Sequence, residues 1–509
     1  MALNPVEQKL VYLCNQWVAF RADQARRLLV WQVPENAVRM VECFLEAQKH
    51  EGEYSSGDLF VTMKEPFGYG LQYARSLKES LRGQFDASIE AIRAEGLATD
   101  WAFDPATTSD SPAGFVQALA SFGSKYHQSI GHLVAVLLPL SVASERAFVE
   151  WLTRLLDSGL PERMRILIVD SIEHPRFDAL LAEVDPRILR QRPAVDTLQV
   201  AQETFAQEAT VGPGGVFRNL LIGLMTLLEK GSADQVKAKA VDALAFARKQ
   251  QWADQEVAVR VLVAGALMKE SRHAEAIRAY EAARQAAELT VKAGHPAGLK
   301  LVLQTWFGQA GAHLAARDDA KAAAAYDDAA LVAQRDRDPI LTIEAFRMAG
   351  FCLARAGDAH GALERGQCAV RVGEVLKSEA RAMTTLPVAL VDMLRVIDRD
   401  RVTRMQSAKS DLLAQFEAAR NHAESNGAAA GDAPNALATI DAELGRAQDE
   451  ARAHAAARLD ALVAEGTQPF RDVAAQAVSL LGDDWMTGND IALPPLFVPP
   501  ETPAGGPAA

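Results

Sequence analysis

The residues best placed to do chemistry are Asp170, Glu173 and His174, in the stretch RILIVDSIEHPR spanning 165–176. Four aliphatic residues run into an aspartate there. That is the pattern of a central parallel strand carrying an acid to its C-terminal edge, where nucleotide enzymes hold magnesium. Asp170 and Glu173 are therefore the candidate acidic site, with His174 beside them. The other role open to Asp170 is that of a carboxylate capping a helix or bonding its own loop. Lys64 and Glu65, at the end of an earlier apolar run, either line a crevice or form a surface pair.

The elements that must position these groups read as alternating strands and helices. RLLVWQV (27–33), DLFVTMKEP (58–66), HLVAVLLPLSV (132–142) and RILIVD (165–170) are short apolar runs. Between them lie helical patterns such as ENAVRMVECFLEAQKHEG, YARSLKESLRGQFDASIEAIRAEG and RAFVEWLTRLLDSG, and a further helix is expected near 113–126. This alternation predicts an α/β domain over residues 1–200, a parallel sheet with flanking helices and strands buried on both faces.

That order resembles the core of P-loop NTPases of the STAND and AAA+ type, which helical repeats often follow. The resemblance covers about 200 residues and is one of layout. A phosphate loop needs glycines that bring backbone N–H groups to the phosphates, a lysine to neutralise them and a hydroxyl for magnesium. No Gly-Lys dipeptide occurs in the chain, and after the first strand the sequence is VPENAVRM. The third strand ends LLPLS, where the family would place carboxylates. TVGPGGVFRNLL (210–221) is glycine-rich but has no lysine, and reads as a domain-boundary turn. The expectation is an NTPase-like domain without nucleotide motifs and without a cofactor.

From 201 to 395 the strand signals stop. ADQVKAKAVDALAFARKQ, AEAIRAYEAARQAAE, AKAAAAYDDAALVAQ and HGALERGQCAVRVGEV vary one amphipathic helix, each preceded by another apolar helix. Trp306, Ala310, Ala322, Tyr326 and Ala329 form the clearest unit, followed by Phe346, Gly350, Leu353, Ala362 and Ala369, with Gly366 in place of the aromatic. Ala264, Leu267, Ala276, Tyr280 and Ala283 precede it, with Arg260 where a large apolar residue is usual, and Ala240, Leu244 and Ala247 make a weaker fourth. These units resemble tetratricopeptide (TPR) repeats, in which small residues let helices approach and the aromatic fills the gap between repeats. The resemblance implies a groove lined by the first helices and nominates Gln304, Phe307, Arg347 and Phe351 as facing it, toward a peptide or helix partner. Intramolecular contacts are the competing role for the same four residues.

Residues 396–482 read as a C-terminal helical hairpin, its two helices separated by a turn at GAAAGDAP, with a short third helix ending at Gly482. The stripe of the hairpin is mostly alanine, which buries little area, so it needs a further surface to lie on. The proline-rich close, 483–509, is expected to be extended.

Composition narrows the function. A net charge of −13 without a basic cluster argues against nucleic-acid binding. No run approaches the length of a membrane span, and the first residues lack the features of a signal peptide, so the expected location is cytoplasmic. Cys14, Cys43, Cys352 and Cys368 are far apart and read as buried thiols in a reducing compartment. The ten histidines form no HExxH pair, and GSKYHQS (123–129) lacks the glycines of a nucleophile elbow. The sequence therefore points to a non-catalytic protein–protein interaction adaptor or scaffold. A bacterial secretion or effector-loading chaperone, or an assembly factor, is the finer form of that reading. The alternatives are a nucleotide-dependent switch with a non-standard phosphate site and a STAND-like signalling regulator.

Overall fold

The computed structural model describes residues 3–50, 52, 54–182, 184–195, 200, 212–430 and 434–488. The chain divides into two compact units, residues 1–208 with 413–452, and residues 209–412 with 453–509. The hairpin expected as one segment over 396–482 is thus shared, its tip belonging to the first unit and its base to the second.

The first unit is an α/β domain. Its strands are β1 (Leu28–Val33), β2 (Leu59–Met63), β3 (Leu133–Leu137), β4 (Met164–Ser171) and β5 (Ile188–Gln191). They form one parallel sheet in the order β2-β3-β4-β1-β5. The central strands β1 and β4 are buried almost throughout, as their unbroken apolar runs require. On one face Leu28, Val30, Ile166 and Ile168 pack under α3 (Gly70–Ala94), α4 (Pro112–Lys125), α5 (Glu145–Asp157) and α6 (Asp178–Ala182). On the other, Leu29, Trp31, Leu167 and Val169 meet α1 (Pro5–Ala22) and α2 (Val38–Ala47).

Three of these elements, α1, α6 and β5, were not legible beforehand. The N-terminal α1 opens with a capping box, in which Asn4 accepts the Glu7 N–H at 2.9 Å and Glu7 accepts the Asn4 N–H at 2.8 Å. β5 is four residues long and only half-buried, so it has no apolar run to announce it.

The second unit is helical. After Gly212 come α7 (Pro213–Lys230), α8 (Ala233–Gln250), α9 (Ala253–Lys269), α10 (His273–Lys292), α11 (Gly298–Ala315), α12 (Asp319–Arg335), α13 (Pro339–Arg355) and α14 (Ala359–Glu374). They are followed by α15 (Ser378–Ala382) and α16 (Leu386–Ile397). Each helix from α7 to α14 packs on the next, and α9 also touches α7 and α11, the stacking of a TPR-like repeat array.

One turn chemistry recurs. Residues Gln251, Ser271, Gly294, Arg317, Arg337 and Gly357 adopt positive φ, from 57° to 85°. After each, the next N–H reaches back to a carbonyl of the last helical turn, as Asp318 does to His313 at 2.9 Å and Asp338 to Ala333 at 3.0 Å. Asp318, Asp338 and Asp358 then cap the following helix. Between helices the fit is close. A Cβ on Gly308 would lie 2.2 Å from the Tyr280 ring, and one on Gly366 2.4 Å from Met393 Cγ. Gly366 stands where an aromatic was expected because Met393 of α16 already fills the space.

The remaining helices are α17 (Arg399–Ala430), α18 (Pro434–Ala464), α19 (Gln468–Leu481) and the short α20 (Trp485–Gly488). The turn expected at GAAAGDAP begins too early. Gly427 to Ala430 continue α17, because alanine favours helix and Gly427 packs against Leu71, where a Cβ would lie 3.0 Å from Leu71 Cδ1. Of the proline-rich tail, residues 489–509 lie outside the described residues.

Candidate functional site

In the sheet, the loops leaving β1 and β4 run to opposite sides, β1 toward β2 and β4 toward β5. This is a topological switch point, the place where open α/β sheets bind ligands outside the strand C-termini. Asp170 lies there, paired in register with Gln32. Its side chain is fully buried, and both oxygens have internal partners. Oδ2 accepts from Gln32 Nε2 at 3.1 Å, and Oδ1 accepts the Arg176 N–H at 3.0 Å, with Arg176 Nε 3.9 Å away. Arg192 donates to Gln32 Oε1 at 3.0 Å, closing a chain of four side chains across β4, β1 and the segment after β5. Asp170 therefore holds the β4 loop, as a loop-bonding carboxylate does.

Glu173 lies apart from Asp170's network. Its carboxylate accepts the Glu35 N–H and the Ser171 hydroxyl, both at 3.1 Å. Its own backbone N–H first, then the Glu35 N–H and the Ser171 hydroxyl, hold it below the usual carboxylate range. His174 Nδ1 is 3.0 Å from Glu35 Oε1. The loop that would cradle phosphate is thus occupied by Pro34 and Glu35, and Glu35 is tied to the β4 loop. Lys64 and Glu65 do not pair as expected. Lys64 reaches Glu42 at 3.5 Å, while Glu65 Oε2 is buried with no hydrogen-bond partner among the described residues. Among the described residues no group of three or more His, Cys, Asp or Glu is placed to hold a metal ion.

The four groove candidates separate. Gln304 is exposed and Phe307 half-buried, its ring edge-on to Tyr326 at 5.7 Å. Phe351 is not in a groove: it is only 4% exposed, inside a cluster with Ala310, Tyr326 and Cys352. Arg347 is also turned inward, with its side chain 10% exposed and two nitrogens bonded to Glu344 at 2.8 and 2.7 Å. The helix stripe Ile340, Glu344, Arg347, Phe351 sinks into the array as it runs, which spacing alone does not reveal. On α11 the stripe stays open. Lys300, Gln304, Phe307 and Gly311 follow at helical spacing, and a Cβ built on Gly311 would meet no atom beyond its own helix backbone within 4 Å. Arg260 departs from the repeat pattern because it pairs with Glu256 at 2.6 Å.

Sequence reading missed the polar network at the opposite edge of the sheet. The fully buried Asp58 side chain accepts from Trp17 Nε1 and Arg21 Nη1, each at 2.7 Å, and from the His132 N–H at 2.8 Å. Burial alone would raise its pKa, but bonds from His132, Trp17 and Arg21 hold it down to about 2. Its partners lie 37 to 74 residues away, beyond any local motif. Of the cysteines, Cys14 and Cys352 are buried as expected, whereas Cys43 is exposed and Cys368 is half-exposed. No described helix is long and apolar enough to cross a membrane.

No protein-family model and no curated protein matches the sequence. Among solved structures the chain is similar to the apo form of RapI, with 11% identity and a TM-score of 0.28 over 88% of this chain and 97% of that one. It is also similar to a signal transduction ATPase with numerous domains (STAND) protein with a tetratricopeptide repeat sensor from Pyrococcus horikoshii. That likeness has 9% identity and a TM-score of 0.23, over 94% of this chain and 92% of that one. Both scores are too low for either likeness to bear on fold or activity.

Proposed function

We propose that the protein is a non-catalytic interaction module that holds a peptide or helix of another protein on its repeat array. The observation that carries this reading is the open stripe on α11, Lys300–Gln304–Phe307–Gly311, on a helix otherwise packed between its neighbours. A cation, an amide, part of an aromatic face and bare backbone on one helical face offer both hydrogen bonds and apolar contact.

The finer role is that of an adaptor or scaffold of the effector-loading or assembly kind. The sheet domain is read as an NTPase-type layout that has lost phosphate chemistry. Two features support this: Asp170 is committed to Gln32 and Arg176, and Glu35 follows β1 where a cation would be needed.

The test is selection of displayed peptides against the full chain, followed by affinity measurement on variants. Gln304→Glu changes the charge of the stripe, and Gly311→Arg fills its open space. Each is expected to weaken the selected peptides about tenfold, the effect of losing one central contact. Unchanged affinity in both variants would refute the proposed face.

A further inference from the structure

A cavity of about 550 Å³ opens at the N-terminal edge of the sheet, opposite the edge that carries Asp170. Arg21, His127, His132, Arg163 and Arg165 line it, with Glu162 the acidic residue among its lining groups. Arg21 is matched by Asp58. Arg163 bonds the His127 carbonyl at 2.7 Å. Among the described residues, neither Arg163 nor Arg165 forms an ion pair with a carboxylate.

Arg165 is the telling residue. It is 1% exposed, at the start of β4. Its Nη atoms donate to the carbonyls of Glu162, Met164 and Arg21, while Nε, also buried, has no partner among the described residues. A buried cation with no carboxylate partner is costly, and persists where something else supplies the missing negative charge.

We propose that this cavity binds a small molecule through a phosphoryl group seated against Arg165 and Arg163. The two Nη atoms of Arg165 are already committed to carbonyls, so the guanidinium cannot offer the two-pronged fork that suits a planar carboxylate. Separate donors from Arg163 and the imidazoles, together with the Arg165 charge in the cavity lining, suit a tetrahedral, doubly charged acceptor instead. Ile130, Leu133 and Met164 give the rest of the cavity an apolar wall for the body of the molecule.

The experiment is calorimetric titration of the full chain with inorganic phosphate and pyrophosphate, with acetate as the carboxylate control, at constant ionic strength. Saturable heat with a Kd of about 1 mM or tighter is expected for one of the phosphates and not for acetate. Arg165→Gln should abolish it. Because that buried substitution can disturb folding, two exposed positions carry the decision. Ser124→Glu should weaken binding about tenfold, and Glu162→Gln should tighten it about threefold, the opposite signs expected of charge at the rim. No saturable heat with either phosphate, equal binding of acetate, or indifference to both rim variants would overturn the proposal. It does not rest on the peptide face of α11.

Discussion

Glu424 caps a helix to which it does not belong. Its carboxylate accepts the N–H of Gly70 at 2.7 Å across 354 positions of sequence, at the first turn of α3. The N-cap residue of α3, Tyr69, supplies no side-chain cap of its own. Glu424 also pairs with Arg154 of α5, and nearby Asp441 accepts from Tyr69 and from Arg75, the latter at 2.8 Å. The hairpin tip thus supplies a negative charge where the helix dipole favours one. Replacing Glu424 by Ala should cost the first unit about 1–2 kcal/mol. Amide exchange should accelerate at 70–73 and along 413–430. Unchanged exchange at both places would remove the capping role.

Gly308 faces the Tyr280 ring with no room for a methyl group. Gly308→Ala is expected to destabilise the array by about 1–3 kcal/mol, the usual cost of overpacking. Tyr280→Leu in the same chain should recover part of the loss, because the added Cβ clashes with the ring itself. Denaturant midpoints for the two single variants and the double variant test this coupling.

Arg317 and Arg337 occupy a left-handed conformation that Gly357 adopts at the equivalent turn. Arg317→Gly and Arg337→Gly should each stabilise by about 0.5–1 kcal/mol, the relief of side-chain strain exceeding the backbone entropy added to the unfolded chain. A fall in the unfolding midpoint of both variants would contradict this.

Two buried aspartates predict opposite pH responses. Asp58, held at about 2 against an ordinary 3.8, stabilises the first unit at neutral pH. That contribution, about 2 kcal/mol, should be intact above pH 3.8 and lost as pH falls toward 2. Asp392 is pushed up to about 6 by burial, against the pull of Arg395 and Arg347, and its Oδ2 lacks a hydrogen bond. Its contribution should be full below pH 3.8 and lost as pH rises through 6. Local exchange rates of the two units across this range should diverge, and Asp58→Asn and Asp392→Asn should each flatten one limb.

The layout was legible where periodicity is strong. Strands β1, β3 and β4 announced themselves as apolar runs because they are buried on both faces, the half-buried edge strand β2 by its own shorter apolar run, and the repeat helices through alanines at their crossings. What escaped depends on distant partners. Nothing in VPENAVRM says that Glu35 bonds the β4 loop, and nothing around Asp58 names Trp17 and His132. The groove candidates failed at Phe351 and Arg347 for a related reason: helical spacing fixes which residues share a stripe, but neighbouring helices decide how deep that stripe lies. On α11, by contrast, Gln304 is exposed and Phe307 half-buried.

The most direct measurement is hydrogen–deuterium exchange of the full chain with and without a selected peptide. Protection should appear on 298–315, centred on Gln304, with the loops at 34–37 and 171–177 unchanged. Protection confined to those two loops, with 298–315 unaffected, would contradict the account and return the switch point between β1 and β4 to the centre of the protein's function.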